Sequence, residues 1–167
     1  MDVVKAIKTR RSVRKYKPDE IPDEKLQIIL ESARLAPSAA NRQPWRFVIV
    51  QETNRKKSLA KAANNQSFLS DAAAIVVAAA DPEASQRWHE KDTMIALEHM
   101  VLAATNLGYG TCWIGAFDED SIKHLLKIPG KLKVVALLPI GVPDETPSAK
   151  PRKAKSEIFF DEQWPEP

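Results

Sequence analysis

The sequence predicts one domain in which amphipathic helices alternate with short buried strands, followed by an extended C-terminal arm. Three observations carry this expectation. Apolar residues recur at helical spacing, most clearly Leu26, Ile29, Leu30 and Ala33 at i, i+3, i+4 and i+7. Between such stretches stand short continuous apolar runs, Phe47-Val48-Ile49-Val50 and Ile75-Val76-Val77, which suit strands covered on both faces. Beyond Gly141 the alternation gives way to a proline-rich tail. A chain of 167 residues fits a single domain, 1–167, and can bury a sizeable core.

Taken in order, Asp2 caps a short first helix with Val3, Val4 and Ile7 on one side. That helix delivers Arg10-Arg11-Ser12-Val13-Arg14 at its C-terminal end, where the helix dipole favours cations. Three guanidiniums and a hydroxyl in five residues suit a phosphate or another compact anion; a solvated basic helix end explains the charge equally well, but not Ser12. After Pro18 and Pro22, a helix is expected over 23–36, ended by Pro37. The loop Pro37-Ser38-Ala39-Ala40-Asn41-Arg42-Gln43-Pro44-Trp45 offers small side chains and amides between prolines. It suits a planar ligand or a plain turn before a strand. A strand over 46–51 and a helix over 54–63 follow.

Asn64-Asn65-Gln66-Ser67 is a polar connection to a second buried strand over 72–80, stopped by Asp81-Pro82. Residues 82–92, with Trp88 and His89, read as irregular or a short helix. Asp92 is expected to cap the longest helix, 93–107, closed by Gly108 and apolar on more than one face. That suits a central core helix that also meets another subunit. A glycine-bounded strand is expected over 108–117, a short helix capped by Asp118 through Leu126, and a strand over 132–140. The tail then carries the basic run Lys150-Pro151-Arg152-Lys153-Ala154-Lys155 and the aromatics Phe159, Phe160 and Trp164. Three aromatics so placed would be exposed on a monomer, so an arm over about 155–167 that docks on a partner subunit is expected.

Composition narrows the chemistry. A net charge of +3, from 25 basic and 22 acidic residues interleaved along the chain, is too mild to argue for nucleic acid. The aromatics do not interleave with the basic runs as a base-stacking surface would. The first residues carry no signal-peptide core and no apolar run could span a bilayer, so a cytoplasmic protein without membrane attachment is expected. A single cysteine, Cys112, excludes an intrachain disulfide and a cysteine metal cluster; it sits in an apolar stretch without a histidine neighbour and is not expected to be a nucleophile. His89, His99 and His124 are scattered, there is no His-Glu-x-x-His, Gly-x-Ser-x-Gly or Walker loop, and no metal is expected. Gly108-Tyr109-Gly110-Thr111-Cys112-Trp113 has tryptophan where a dinucleotide fingerprint needs its third glycine, and it follows a helix.

Arg-Arg-Ser-x-Arg, Pro-Ser-x-x-Asn-x-Gln-Pro-Trp, the stretch from Gly108 to Gly115 and the late Lys150-Pro151-Arg152 together, in this order, resemble the nitroreductase family of flavin mononucleotide (FMN) enzymes. The resemblance covers essentially the whole chain. It implies an α+β fold with a mainly antiparallel central sheet flanked by helices, and a homodimer with FMN sites at the subunit interface. It implies an FMN-dependent oxidoreductase that moves a hydride from NAD(P)H to the flavin and then electrons to a nitroaromatic, quinone or similar small-molecule acceptor. The same fold also serves reductive dehalogenation, dehydrogenation and flavin breakdown.

By the same resemblance, Arg10 and Ser12 match the family's phosphate ligands, joined by Lys150 and Arg152. Arg11 would act through its backbone and the ribityl region, and Arg14 matches the basic residue beside the pyrimidine edge of the ring. Pro37, Ser38, Ala39, Asn41 and Gln43 belong to the loop that reaches the ring and ribityl chain from the other subunit. Asn65 or Gln66 matches an amide facing the pyrimidine, and Ile114, Gly115 and Ala116 match the backbone stretch whose amides point at flavin N5. Arg14, Gly115 and Ala116 would carry the catalytic effect, since a fixed cation and backbone donors favour the reduced ring. Family members with a larger lid insert it where this chain has only residues 82–92, which implies an open substrate face.

Overall fold

The structure is a computed structural model that describes residues 2–165; Met1 and the last two residues of the expected arm lie outside them. Its helices are α1 (Val3–Thr9), α2 (Asp23–Arg34), α3 (Thr53–Ala62), α4 (His89–Asn106) and α5 (Glu119–Leu126). Its strands are β1 (Trp45–Val50), β2 (Ala74–Ala80), β3 (Gly110–Thr111) and β4 (Lys133–Gly141). The strands form one sheet in the order β1-β2-β4-β3 with every neighbouring pair antiparallel, so the architecture is α+β.

The sheet is covered on both faces. Val76, Ala78, Ala136, Leu138 and Ile140 pack against Leu26, Ile29 and Ala33 of α2 and Ala96, Leu97, Met100, Val101 and Ala104 of α4. Ile75, Val77, Ala79, Val134 and Leu137 pack on the other side against Leu59 and Ala60 of α3 and Ile122 of α5. Because alternate side chains of β2 enter different clusters, all seven of its residues are buried, which is why the sequence shows an unbroken apolar run there. Ala78 pairs with Ala136 and Ala79 with Val134, leaving Val135 as an extra, bulged residue in β4.

Two expectations are corrected. The long helix begins at His89, a turn earlier than expected, and Asp92 does not cap it: its carboxylate Oδ2 accepts from the N–H of Ala39, 3.1 Å away, in the loop after α2. The strand expected over 108–117 shrinks to Gly110–Thr111 plus an isolated antiparallel bridge between Ile114 and Leu137. The edge that β3 turns away from β4 is taken by the N-terminal segment, with Ser12 and Thr111 in a parallel bridge. The other helices begin and end within about two residues of expectation. The tail beyond β4 is extended apart from one turn of 3-10 helix at Lys155–Glu157, and Phe159 and Trp164 are 72% and 79% exposed.

Candidate functional site

The chain leaves α1 at Arg10, whose N–H still closes the helix on the carbonyl of Ala6, and then runs extended along the sheet. The N–H of Val13 donates to Thr111 O at 2.9 Å, Lys17 N–H to Val142 O at 2.9 Å, and Asp144 N–H returns to Lys15 O at 2.9 Å. This close approach needs two glycines. Gly110 and Gly141 face each other across β3 and β4. A Cβ on Gly110 would lie 2.8 Å from the Val13 side chain, and one on Gly141 2.8 Å from the Tyr16 ring. Tyr16 is pinned by its own hydroxyl, which donates to Val13 O at 2.8 Å, and burial pushes that hydroxyl's pKa far up. The result is a rigid shelf that presents Arg10, Arg11, Ser12 and Arg14.

The tail after β4 turns back over this shelf. The N–H of Arg14 donates to Glu145 Oε1 at 2.5 Å, a contact between residues 131 apart in sequence. Arg10, Arg11, Ser12, Arg14, Lys150 and Arg152 thereby line one cleft of about 330 Å³, together with Glu145 and Ser148. Arg11 Nη1 donates to the carbonyls of Lys8 and Arg10 at 2.9 and 2.7 Å. Arg152 Nη1 donates to those of Lys150 and Pro151, each at 3.1 Å. Among the described residues none of these five cations is paired with a carboxylate. Five cations against the single carboxylate of Glu145 leave the cleft with an excess of positive charge that favours an anion, and a phosphate dianion needs more than one cation once partly desolvated. The residues present therefore fit the phosphate end of FMN.

Cys112 lies just beneath, buried, with its thiol near Ser12 and Arg14. Burial pushes its pKa up against the opposing pull of Arg14 and of the Ser12 hydroxyl, which disfavours the thiolate a nucleophile needs.

The loop after α2 forms a second element. Ala39–Asn41 is one turn of 3-10 helix, and Ala40, Asn41 and Gln43 hold φ of 48°, 54° and 48°. Non-glycine residues there carry strain on the order of 1 kcal/mol each, so something must hold the loop. The carboxylate of Asp92 fixes Ala39 N–H; Ser38 Oγ accepts from Gln43 N–H at 3.0 Å; Gln43 Nε2 donates to Asn41 O and Oδ1 at 3.2 and 3.1 Å. Pro37, Ser38 and Ala39 line an apolar notch of about 320 Å³ with Trp88, Asp92 and Ile95. Within one chain this notch and the cationic cleft have no lining residue in common.

Asn65 lines a further cleft of about 430 Å³ with Asp118 and Ser121, whereas Gln66 Nε2 donates to Ala63 O at 2.9 Å and to Ala116 O at 3.4 Å. Gln66 is thus tied to the backbone stretch 114–116, whose amides the resemblance sets at flavin N5. In that stretch the N–H of Ile114 is committed to Leu137 O at 3.0 Å, so it has no proton to offer a ligand. The N–H groups of exposed Gly115 and Ala116 make no hydrogen bond among the described residues.

The sequence left Glu145, Ser148 and the anchoring role of Asp92 unread. Asp92 sat where a helix cap is expected, and nothing local to Glu145 points to a residue 131 positions away.

The nitroreductase family model matches residues 7–66 and 52–142. A protein of Archaeoglobus fulgidus with the provisional name NADH dehydrogenase/NAD(P)H nitroreductase is 35% identical over 86% of this chain and 87% of its own length. The FMN reductase [NAD(P)H] of Bacillus subtilis is 28% identical over 98% of this chain and 74% of its own. The crystal structure of a nitroreductase family protein from Clostridium novyi NT superposes with a TM-score of 0.82 at 39% identity, covering 90% of this chain and 89% of that one. With its motifs, its sheet and most of its length accounted for in these matches, the chain belongs to the nitroreductase family.

Proposed function

We propose that the chain is an FMN-dependent NAD(P)H oxidoreductase that works as a cytoplasmic homodimer and reduces a nitroaromatic, quinone or similar acceptor. The observation that carries this reading is the cleft of unpaired cations drawn from both ends of the chain. Its support from relatives is family membership and the FMN reductase of Bacillus subtilis.

Arg10, Ser12, Lys150 and Arg152 would hold the phosphate, with Arg11 beside the ribityl chain. When bound, FMN supplies a ring that takes a hydride from NAD(P)H and passes electrons on. Arg14 provides a fixed positive charge where negative charge accumulates as the ring is reduced, and its position is held by the bond from its own N–H to Glu145. Gly115 and Ala116 offer the backbone donors of the stretch, since Ile114 has none to spare. Ser38, Ala39, Asn41 and Gln43 would reach the ring from the partner, which accounts for their separation from the cationic cleft within one chain. No side-chain acid or base is required for the transfer itself.

Dimer formation is supported by the apolar side chains left uncovered: Val3, Val4 and Ile7 on α1, Met94 and Ile95 on α4, and Phe159 and Trp164 in the arm. Among the described residues no helix is long and apolar enough to cross a membrane. The test is the absorption spectrum of protein purified under gentle conditions or incubated with FMN. A yellow protein that is bleached by NAD(P)H is expected; a colourless protein that takes up no FMN refutes the reading.

A further inference from the structure

A second basic cleft lies on the far side of the strained loop. Arg42, on that loop, faces Ser85, Gln86, Arg87 and Trp88 of the turns between β2 and α4 across a space of about 610 Å³, within the range of small-molecule pockets. The cleft's carboxylate, Glu83, is already neutralised by Lys131 at 2.6 Å. Arg42 spends only one contact, from Nη1 to Ala39 O at 3.3 Å, and neither it nor Arg87 is paired with a carboxylate among the described residues. Two guanidiniums without a counter-ion select for an anion, and phosphate oxygens match their fork geometry.

The wall of the cleft is built rather than loose. Asp81 Oδ1 accepts from the N–H groups of Glu83 and Ala84 at 3.0 and 3.4 Å, which closes the first turn. Ser85 is buried, and its carbonyl receives the N–H of His89 at 3.1 Å and lies 2.9 Å from the same residue's Nδ1. On this frame Trp88 stands 48% exposed, and Lys91 Nζ lies over one face of its ring, 4.7 Å from the centre. With Lys91 on one face, the indole has its opposite face to offer a purine, next to two arginines for the phosphates.

Trp88 also lines the apolar notch of Pro37, Ser38 and Ala39. One tryptophan thus joins a phosphate-seeking cleft to an apolar slot on the loop that the proposed function sets against the flavin. A simple nitroaromatic or quinone carries no phosphate and leaves the arginine pair idle. A dinucleotide has a ring at one end and adenosine phosphates at the other, and it fits both parts.

We propose that the cleft between Arg42 and residues 85–88 seats the phosphate-bearing adenosine half of the nicotinamide donor, with Arg42 and Arg87 on phosphate and Trp88 under the adenine. This rests on the oxidoreductase reading and adds to it where the donor binds. The cleft replaces a lid: a donor anchored by its far end is oriented without a segment closing over it.

The test uses FMN-loaded protein and three donors in stopped-flow reduction: NADPH, NADH and reduced nicotinamide mononucleotide, which lacks the adenosine phosphate. Arg42→Gln and Arg87→Gln are each expected to raise the apparent Kd of NADPH and NADH about fivefold or more with the limiting rate unchanged. Reduction by the mononucleotide should change less than twofold. Calorimetric titration of oxidised protein with ADP-ribose and with its 2′-phosphate should show weakening of the same order. A larger loss for the 2′-phosphate form assigns the arginines to that group, and equal losses assign them to the adenosine-side phosphate of the pyrophosphate. Changes below twofold for both dinucleotides, or an equal effect on the mononucleotide, overturn the inference and leave the oxidoreductase reading standing. A flavin that none of the three donors reduces overturns both.

Discussion

At Gly141 the chain has no room for a methyl group, because a Cβ there would sit 2.8 Å from a Tyr16 ring carbon and 3.2 Å from the backbone nitrogen of Ala73. Neither neighbour can yield: Tyr16 is buried and hydrogen-bonded, and Ala73 leads into the central strand. Gly141→Ala should therefore cost about 1–3 kcal/mol of stability, read by denaturant unfolding, and should loosen the shelf enough to weaken FMN binding beyond that loss. Equal stability of the two proteins would contradict the close approach. Ala40 presents the opposite case. Its φ of 48° strains an alanine but not a glycine, so Ala40→Gly is expected to stabilise the fold by about 0.5 kcal/mol despite the added freedom of the unfolded chain. Arg14→Ala should leave FMN bound, since the remaining cations stay in the cleft, but lower its midpoint potential by about 30 mV or more. An unchanged potential in a spectroelectrochemical titration would remove Arg14 from its catalytic role.

Among the elements, the loop over 37–43 depends on a carboxylate that the sequence presents as something else. Asp92→Ala strips the acceptor from Ala39 N–H and should speed hydrogen exchange across the loop, while Asp92→Asn, which keeps an oxygen there, should do so less. Exchange unchanged from the parent protein in both variants would show that the other hydrogen bonds hold the loop unaided. Periodicity revealed α2, α3 and the buried strands because each buries a face or a whole run against the core, and that burial is what periodicity records. It failed at β3 for a related reason. Residues 112–117 read as strand because they are apolar, yet the edge beside Thr111 is filled by Val13, and pairing with β4 resumes only at Ile114. In the site, the motif residues were legible where they cluster in sequence. Glu145 was not, because its partner lies at the other end of the chain.

For the whole molecule, acid should weaken the seam between α5 and β4. Burial alone would raise the pKa of Glu119, but Lys133 at 2.7 Å, Lys123 at 2.9 Å and the N–H of Val134 at 3.0 Å outweigh it and hold the carboxyl at about 2, against an ordinary 4.5. A depressed carboxylate stabilises the fold fully above its unfolded pKa, and that contribution is lost as pH falls toward the folded value. It amounts to about 1 kcal/mol after allowing for solvent around the lysines. Glu119→Gln should thus be less stable near neutral pH, and the gap should narrow as pH drops from about 5 to about 3; parallel unfolding curves would contradict this. Phe159 and Trp164 answer to the proposed dimer. Changing both to serine should shift sedimentation toward monomer while leaving the fold intact, since neither belongs to the core.

The cationic cleft has one further consequence, for the order of events in synthesis. Arg10 to Arg14 are made well before Lys150 and Arg152, and Glu145 must reach back across 131 positions to meet the N–H of Arg14. Until residues 145–152 have left the ribosome, the early arginines have no second half to meet. An anion can meet all five cations only after these two segments have closed on each other, which makes occupancy of the cleft a sign that this long-range contact has formed.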